Sequence, residues 1–477
     1  MAQYVRPETP SASWMHPDQL KTETYAMKDG RIFLGRTKDG RDIGVDDNRH
    51  IATIAGSRAG KSVTSLMTNL LLWKGSTIVI DPKGELATNT AQHRADMGQD
   101  VTILDPFHEV KSPALQSLRK AYNPLDALRG IDPDDVVDEA SSLADSIITS
   151  EGDKIDHWTL SAKNLIRGFI LYVMKTKPEK GSLHDVRTLL TLPYEADEDG
   201  TPDTMEFHFN VMVNDPDSFD GVLAGIGGSM LGKPDNERGS IISTAIEQTA
   251  FLDSKRLKDH VRESGLPSMR VLKQKPATIY LVLPASRMGT HFRWLRALLT
   301  QAMTALEQEK NATGRPVLFI LEEFPTLGYM RLIEASAGLM AGYDVKLWTV
   351  LQDLSQLQAH YPKSWETFLG NAGIIEAFGN TDMTTLEYLS KRMGQSLSYQ
   401  IQKNETAISQ QQQGQTGVRE TIVNVPLMAP YEIAQTFARD NRNKLILSDQ
   451  KPFGLGRVYW KDLHNDHGFE SKGSTSR

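Results

Sequence analysis

A chain of 477 residues, 39% hydrophobic and 24% charged, has the length for two or three domains and the composition of a globular protein. Its formal charge of -7 exerts no general pull on nucleic acid or membrane, so any contact with DNA has to come from a local basic patch or a pore. The absence of cysteine excludes disulfides, thiolate metal sites and cysteine nucleophiles, and fits a reducing, cytoplasmic setting.

Residues 1–30 are polar and carry Pro7, Pro10 and Pro17, which read as an N-terminal arm without regular structure. No charged stretch followed by an apolar block marks a signal peptide, and no run nears the roughly 20 apolar residues of a spanning helix. The expectation is a soluble chain that reaches a membrane only through a partner. "RIFLGRTKDGRDIGVDD" then gives two short strands around the turn Asp39-Gly40.

From His50 strands and helices alternate: "HIATIAG", a helix through "KSVTSLMTNLLLW", "STIVIDP", a polar helix, and "VTILDPF". Short β-branched runs separated by helices predict a largely parallel α/β sheet with crossover helices. Over 130–252 the periodicity is helical, as in "DDVVDEASSLADSII", "HWTLSAKNLIRGFILYVMKT", "SLHDVRTLLTL" and "SIISTAIEQTAFL", which predicts an inserted all-α domain. Strands resume with "ATIYLVLP", "PVLFILEEF" and "VKLWTVLQD", separated by the helices "HFRWLRALLTQAMTALEQE" and Arg331 to Ala341. The flanks 31–129 and 253–465 are expected to close into one domain. Within the second flank, "QKNETAISQQQQGQTG" reads as a flexible loop, and "RETIVNVPLM" and "GLGRVYW" as strands; 466–477 read as a disordered tail.

"IATIAGSRAGKSVTSLM" approaches the pattern G-x-x-x-x-G-K-S/T, with Ala55 where the first glycine usually stands. A glycine turn at a helix N-terminus presents backbone N–H groups and the positive end of the helix dipole to phosphate. The cradle is assigned to Gly56, Ser57, Arg58, Ala59, Gly60, Lys61, Ser62 and Val63, with Lys61 on the terminal phosphates and Ser62 on Mg2+. Alanine at position 55 is tolerable if its φ is negative. Glu322 and Glu323 close an apolar strand at its C-terminal edge, where α/β sheets bind ligands. Glu322 is assigned to the metal shell and Glu323 to activation of water. Gln352 ends the next strand, placed to sense the terminal phosphate or orient water.

Taken in order, "AGSRAGKS", "IVIDPKGEL", "YNPLDAL", "VLFILEEFPTLG", "AGYDVKLWTVLQDLSQLQAHY" and "FGNTDMTTLEYLSKRMG" resemble the TraG-type family of type IV secretion coupling proteins, over residues 30–465. The resemblance implies a RecA-like, ATP-hydrolysing P-loop motor interrupted by an all-α domain, commonly a homo-hexamer. It also implies delivery of DNA, and of relaxase or other protein substrates, to the channel components of a type IV secretion system. Its nucleotide residues carry over to Gly60, Lys61 and Ser62, its carboxylates to Glu322 and Glu323, its sensor to Gln352, and it draws attention to Asp81, Lys83 and Glu85. Three features depart from the family: the missing transmembrane helices, the letters Ala55 and Glu322, and the absence of arginine from "SAGLMAGYD", where relatives carry one that acts on a neighbouring subunit. Arg331, Arg293 and Arg296 are the candidate substitutes.

For sequence-independent contact with single-stranded DNA the densest basic run is "SKRLKDHVRESGLPSMRVLKQK", although a solvated helix face gives the same pattern. Two other readings share the cradle: a nucleotide-dependent receptor that recruits substrates with little turnover, and a DNA translocase of the FtsK or HerA kind outside secretion.

Overall fold

The computed structural model describes residues 11–149, 156–196, 203–311, 313–403 and 418–466. The strands in chain order are β1 (Ile32–Arg36), β2 (Asp42–Val45), β3 (His50–Ala55), β4 (Thr77–Asp81), β5 (Asp100–Leu104), β6 (Ala277–Val282), β7 (Val317–Leu321), β8 (Val345–Leu351), β9 (Ala372–Phe378), β10 (Gln395–Lys403), β11 (Val418–Pro426), β12 (Asn443–Leu447) and β13 (Phe453–Gly456). By internal contacts the chain divides into two units.

The first unit gathers the described residues of Met1–Asn69, Leu351–Ala359 and Ala372–Arg477. Its strands lie in the order β2-β1-β13-β12-β9-β3. The expected hairpin is present, with β1 antiparallel to β2 and Gly40 at φ +86° in the turn. Among the described pairs of this unit, β3 and β9 run parallel and the rest are antiparallel, so this flank departs from the parallel pattern. β10 and β11 form a separate antiparallel ribbon. The arm packs against these elements, with the amides of Ala12 and Met15 bonded to the carbonyls of Gln395 and Pro452. "GLGRVYW" is strand only to Gly456; Trp460–Asp466 is a helix, because the chain turns after Arg457 and leaves the sheet. Residues 404–417 of the expected loop, 1–10 of the arm and 467–477 of the tail lie outside the described residues.

β3 and β9 are buried along their whole length. Glu376, in the middle of β9, is 0% exposed, as is Lys444 of β12. The Lys444 ammonium donates to Glu376 Oε1 at 2.9 Å and to Ser65 Oγ at 3.2 Å. Ser65 donates to Glu376 Oε2 at 2.9 Å, and Thr53 of β3 donates to the same oxygen at 3.3 Å. Burial pushes the Lys444 pKa down, and the charge of Glu376 opposes that shift.

The second unit gathers the described residues of Leu70–Val350 and His360–Asn371. Its strands lie in the order β8-β7-β4-β6-β5, every pair parallel, as continuous buried β-branched runs predict. Between β5 and β6 the described residues hold helices and no named strand, including Val136–Ile147, His157–Thr176, Leu183–Leu190 and Asp235–Thr249. Arg94, fully buried on the helix Glu85–Asp96, donates to the carbonyls of Leu70, Trp73 and Gly75 and fixes the entry to β4.

Removing one charge from a buried pair strands the other. Glu376→Gln is therefore expected to cost about 3–5 kcal/mol, whereas the double change Glu376→Leu with Lys444→Met recovers most of it. Denaturant unfolding of the three proteins checks this; equal losses in the single and double variants would show that the pair does not set the cost.

Candidate functional site

The cradle belongs to the first unit. β3 ends at Ala55, which pairs with Phe378 of β9, and Ala55, Ala59 and Phe378 form one buried cluster. Ala55 is an ordinary strand residue and is absent from the positive-φ residues, so this position needs no glycine. The need arises one residue later: a Cβ on Gly56 would stand 2.0 Å from the carbonyl oxygen of Gly379, itself at φ +63°. The Gly56 amide donates to Phe378 O at 3.3 Å, and the Ala59 amide to Gly56 O at 3.1 Å, which closes the turn.

Ser57 and Arg58 are exposed at its outer edge, Arg58 at φ +56°. Gly60, at φ +90°, turns the chain into a π-helical turn, Ser62–Leu66, which continues as the α-helix Met67–Leu72. The wide turn replaces the plain α-helix expected from the apolar spacing. No side chain caps this N-terminus, so its leading amides are disposed as a phosphate site requires. Lys61 is 8% exposed; Ser62 and Val63 are half-buried.

Gln352, which follows β8 in sequence, belongs to the first unit with the cradle and is half-buried. Its carbonyl accepts from Asn380 Nδ2 at 3.3 Å, so the turn Phe378-Gly379-Asn380 contacts both the glycine turn and Gln352. Sequence reasoning missed Gly379, Asn380 and Arg457, which donates to the Ala59 carbonyl. Gly379 and Asn380 stand in the quoted stretch "FGNTDMTTLEYLSKRMG", but no local pattern ties them or Arg457 to the cradle, from which all three lie hundreds of residues away in sequence.

Glu322 and Glu323 belong to the second unit and follow β7. Glu322 is 7% exposed. Glu323 is half-buried and left-handed at φ +56°, held by Thr326, whose amide and hydroxyl donate to the Glu323 carbonyl at 2.9 and 2.7 Å. A non-glycine residue in this region carries about 1–3 kcal/mol of strain, and such residues cluster at functional sites.

Asp81 ends β4 with no exposure. It accepts from the Ala87 amide at 2.8 Å and the Lys83 amide at 3.4 Å, which pins the helix Glu85–Asp96; Lys83 and Glu85 themselves are exposed. Burial pushes its pKa up to about 6; the amides of Ala87, Lys83 and Glu85 oppose this, and the Glu85 charge adds to it.

The three candidate arginines separate. Arg296 is buried, and its guanidinium is occupied by the carbonyls of Ser146, Leu327 and Tyr329. Arg293 donates to Gln248 Oε1 and Thr149 Oγ1. Arg331 is exposed at the start of its helix. The basic run is also dispersed. Lys273 is buried against the carbonyls of Leu306 and Glu309, Lys275 pairs with Asp100, Lys255 with Asp259, and Arg270 donates to Gln308. Arg256 and Arg262 stay exposed and Lys258 half-buried.

A family model described as "Type IV secretory system Conjugative DNA transfer" matches residues 11–474. Protein VirD4 of Rhizobium rhizogenes is 24% identical over 473 residues, 95% of this chain and 65% of that protein, so the chain spans just under two thirds of this relative. Two solved structures share the fold at 16% identity. Plasmid coupling protein TrwB in complex with the ATP analogue ADPNP has a TM-score of 0.64, over 94% of this chain and 95% of that one. The same protein in complex with ADP and Mg2+ has a TM-score of 0.63, over 95% and 96%.

Two predictions follow from the local geometry. Ala55→Gly should move nucleotide affinity by less than about twofold and cost ~1 kcal/mol of stability, whereas Gly56→Ala should abolish nucleotide binding; titration and melting of both check this. For Asp81, the native state binds its proton more tightly than the unfolded chain, so stability falls as pH rises from about 4 through 6, and a cost of about 3 kcal/mol is complete above that. Asp81→Asn, which keeps an acceptor, is expected to melt higher than wild type at pH 8, with the gap closing towards pH 4.

Proposed function

The chain belongs to the Type IV secretory system conjugative DNA transfer family, and we propose from that premise that it is an ATP-hydrolysing coupling protein. In this reading it recruits DNA, protein substrates such as a relaxase, or both, and delivers them to the channel components of a type IV secretion system as a homo-hexamer. It works in the cytoplasm and meets the inner membrane through a partner. The observation that carries the reading is the cradle: an uncapped helix N-terminus behind a glycine turn, with Lys61 beside it and the Gly56–Gly379 contact behind it.

The nucleotide and Mg2+ are supported by the residues present. Backbone amides from Gly60 to Val63 bind phosphate oxygens, Lys61 supplies a point charge, and Ser62 offers a hydroxyl ligand to the metal. Mg2+, when bound, neutralises charge that develops on the transferred phosphoryl group. Glu322 supports the metal shell, Glu323 takes the proton of the attacking water, and Gln352 orients that water. TrwB, which shares the fold, binds an ATP analogue and ADP with Mg2+.

A receptor with little turnover is favoured by one observation: Arg296 and Arg293 are committed inside the fold. That leaves Arg331 as the exposed candidate to complete a neighbour's site.

Steady-state ATPase assays with and without single-stranded DNA decide between the readings. Wild type should turn over ATP, faster with DNA. Lys61→Ala should lose nucleotide affinity and activity, and Glu323→Gln should bind ATP normally and stall. Wild type that binds ATP yet turns over no faster than Lys61→Ala in either condition would establish the receptor reading; wild type that binds no nucleotide would overturn both.

A further inference from the structure

Arg457 follows β13, is 9% exposed, and stands behind the cradle within the first unit. Its Nη1 donates to the Ala59 carbonyl and its Nη2 to the Arg439 carbonyl. The guanidinium carbon lies 4.8 Å from the centre of the Phe378 ring, and the Arg457 amide donates to Arg442 O at 2.6 Å. The grip is therefore two-pronged, between the cradle and the segment 439–442, and one aromatic face backs it.

Two features set this arginine apart from a structural cap. Its Nε is buried with no partner. Asp440, whose side chain is 92% exposed, acts on it favourably, while Arg442 repels it. A buried cation without a counter-ion is costly, and an anion brought near it recovers part of that cost. The atom it grips matters too. In a trans peptide the C=O and the following N–H point in opposite directions. Holding the Ala59 carbonyl towards the interior aims the Gly60 amide away from it, to the side where a phosphate would lie.

We propose that Arg457 is a positioning residue of the nucleotide site: it fixes the Ala59–Gly60 peptide so that the Gly60 amide faces the phosphate chain, and its uncompensated charge strengthens the cradle's hold on polyphosphate. The inference rests on the nucleotide-binding reading above. The planar fork is essential, because an ammonium cannot reach both carbonyls with fixed geometry.

The test is equilibrium titration of the full chain with fluorescent ADP and Mg2+, for wild type, Arg457→Met, Arg457→Lys and Lys61→Ala, together with KM and kcat for ATP. Arg457→Met is expected to bind about 10–100-fold more weakly, with KM raised and kcat within about threefold of wild type; Arg457→Lys falls between the two. A purely structural role would lower the melting temperature of Arg457→Met and leave affinity unchanged, which overturns the inference. If Arg457→Met does not fold, Arg457→Lys decides: affinity at least about threefold below wild type supports the grip, and wild-type affinity overturns it. Failure of wild type itself to bind would count against the nucleotide reading, an outcome distinct from normal binding by the Arg457 variants.

Discussion

The buried Glu376–Lys444 pair is the constraint on which the first unit depends. Neither side chain touches water, and their remaining polar atoms are met by Ser65 and Thr53. Those four residues come from β9, β12, β3 and the turn after the cradle. A carboxylate and an ammonium in such surroundings tolerate little displacement, because each depends on the other for its charge balance. The pair thereby fixes the parallel register of β3 on β9. That register puts Ala55 against Phe378 and Gly56 against Gly379, which is the contact that shapes the phosphate turn.

Beyond that pair, three of the residues discussed above carry features at odds with simple stability, as do residues with no assigned chemistry, among them the left-handed His108, Phe219 and Asp344. Glu323 keeps a left-handed backbone, Asp81 keeps a carboxyl where burial disfavours its charge, and Arg457 keeps a cation with little counter-charge. A sequence selected for stability alone would carry glycine or asparagine at the first and uncharged side chains at the others. Strain and perturbed ionisation mark these residues within each unit on physical grounds, without reference to the letters of the motif.

Most of the second unit was legible in the sequence, because its strands are uninterrupted apolar runs such as "STIVID" and "VLFIL" whose neighbours are crossover helices. The first unit was harder to read, and the reason is electrostatic. "AGIIEAF" and "NKLIL" each carry a charge in mid-strand, which disguises a buried strand as a surface segment. Only the pairing of Glu376 with Lys444 across sequence makes both burials tolerable. Ala55 reads as tolerable if its φ is negative, and the structure agrees. It stood where a glycine is customary, yet the backbone there is ordinary strand, and the steric demand falls on Gly56. The cradle, Glu322, Glu323 and Gln352 could be named from spacing and from strand ends; the wall behind the cradle could not, since it is assembled from distant turns.

Charge shows the same contrast between composition and placement. The chain is acidic overall, and its densest basic run lies at 254–275. In the structure much of that run is neutralised or spent: Lys275 on Asp100, Lys255 on Asp259, Lys273 on carbonyls. Arg457 is isolated in sequence among apolar and aromatic residues, and it sits in a buried setting where an exposed acid, Asp440, acts on it and Arg442 repels it. An anion is attracted by charge that remains uncompensated at short range and low dielectric, not by the number of basic residues in a run. By that criterion the buried Arg457, which also holds the Ala59 carbonyl, is a better candidate to attract an anion than the longer basic run.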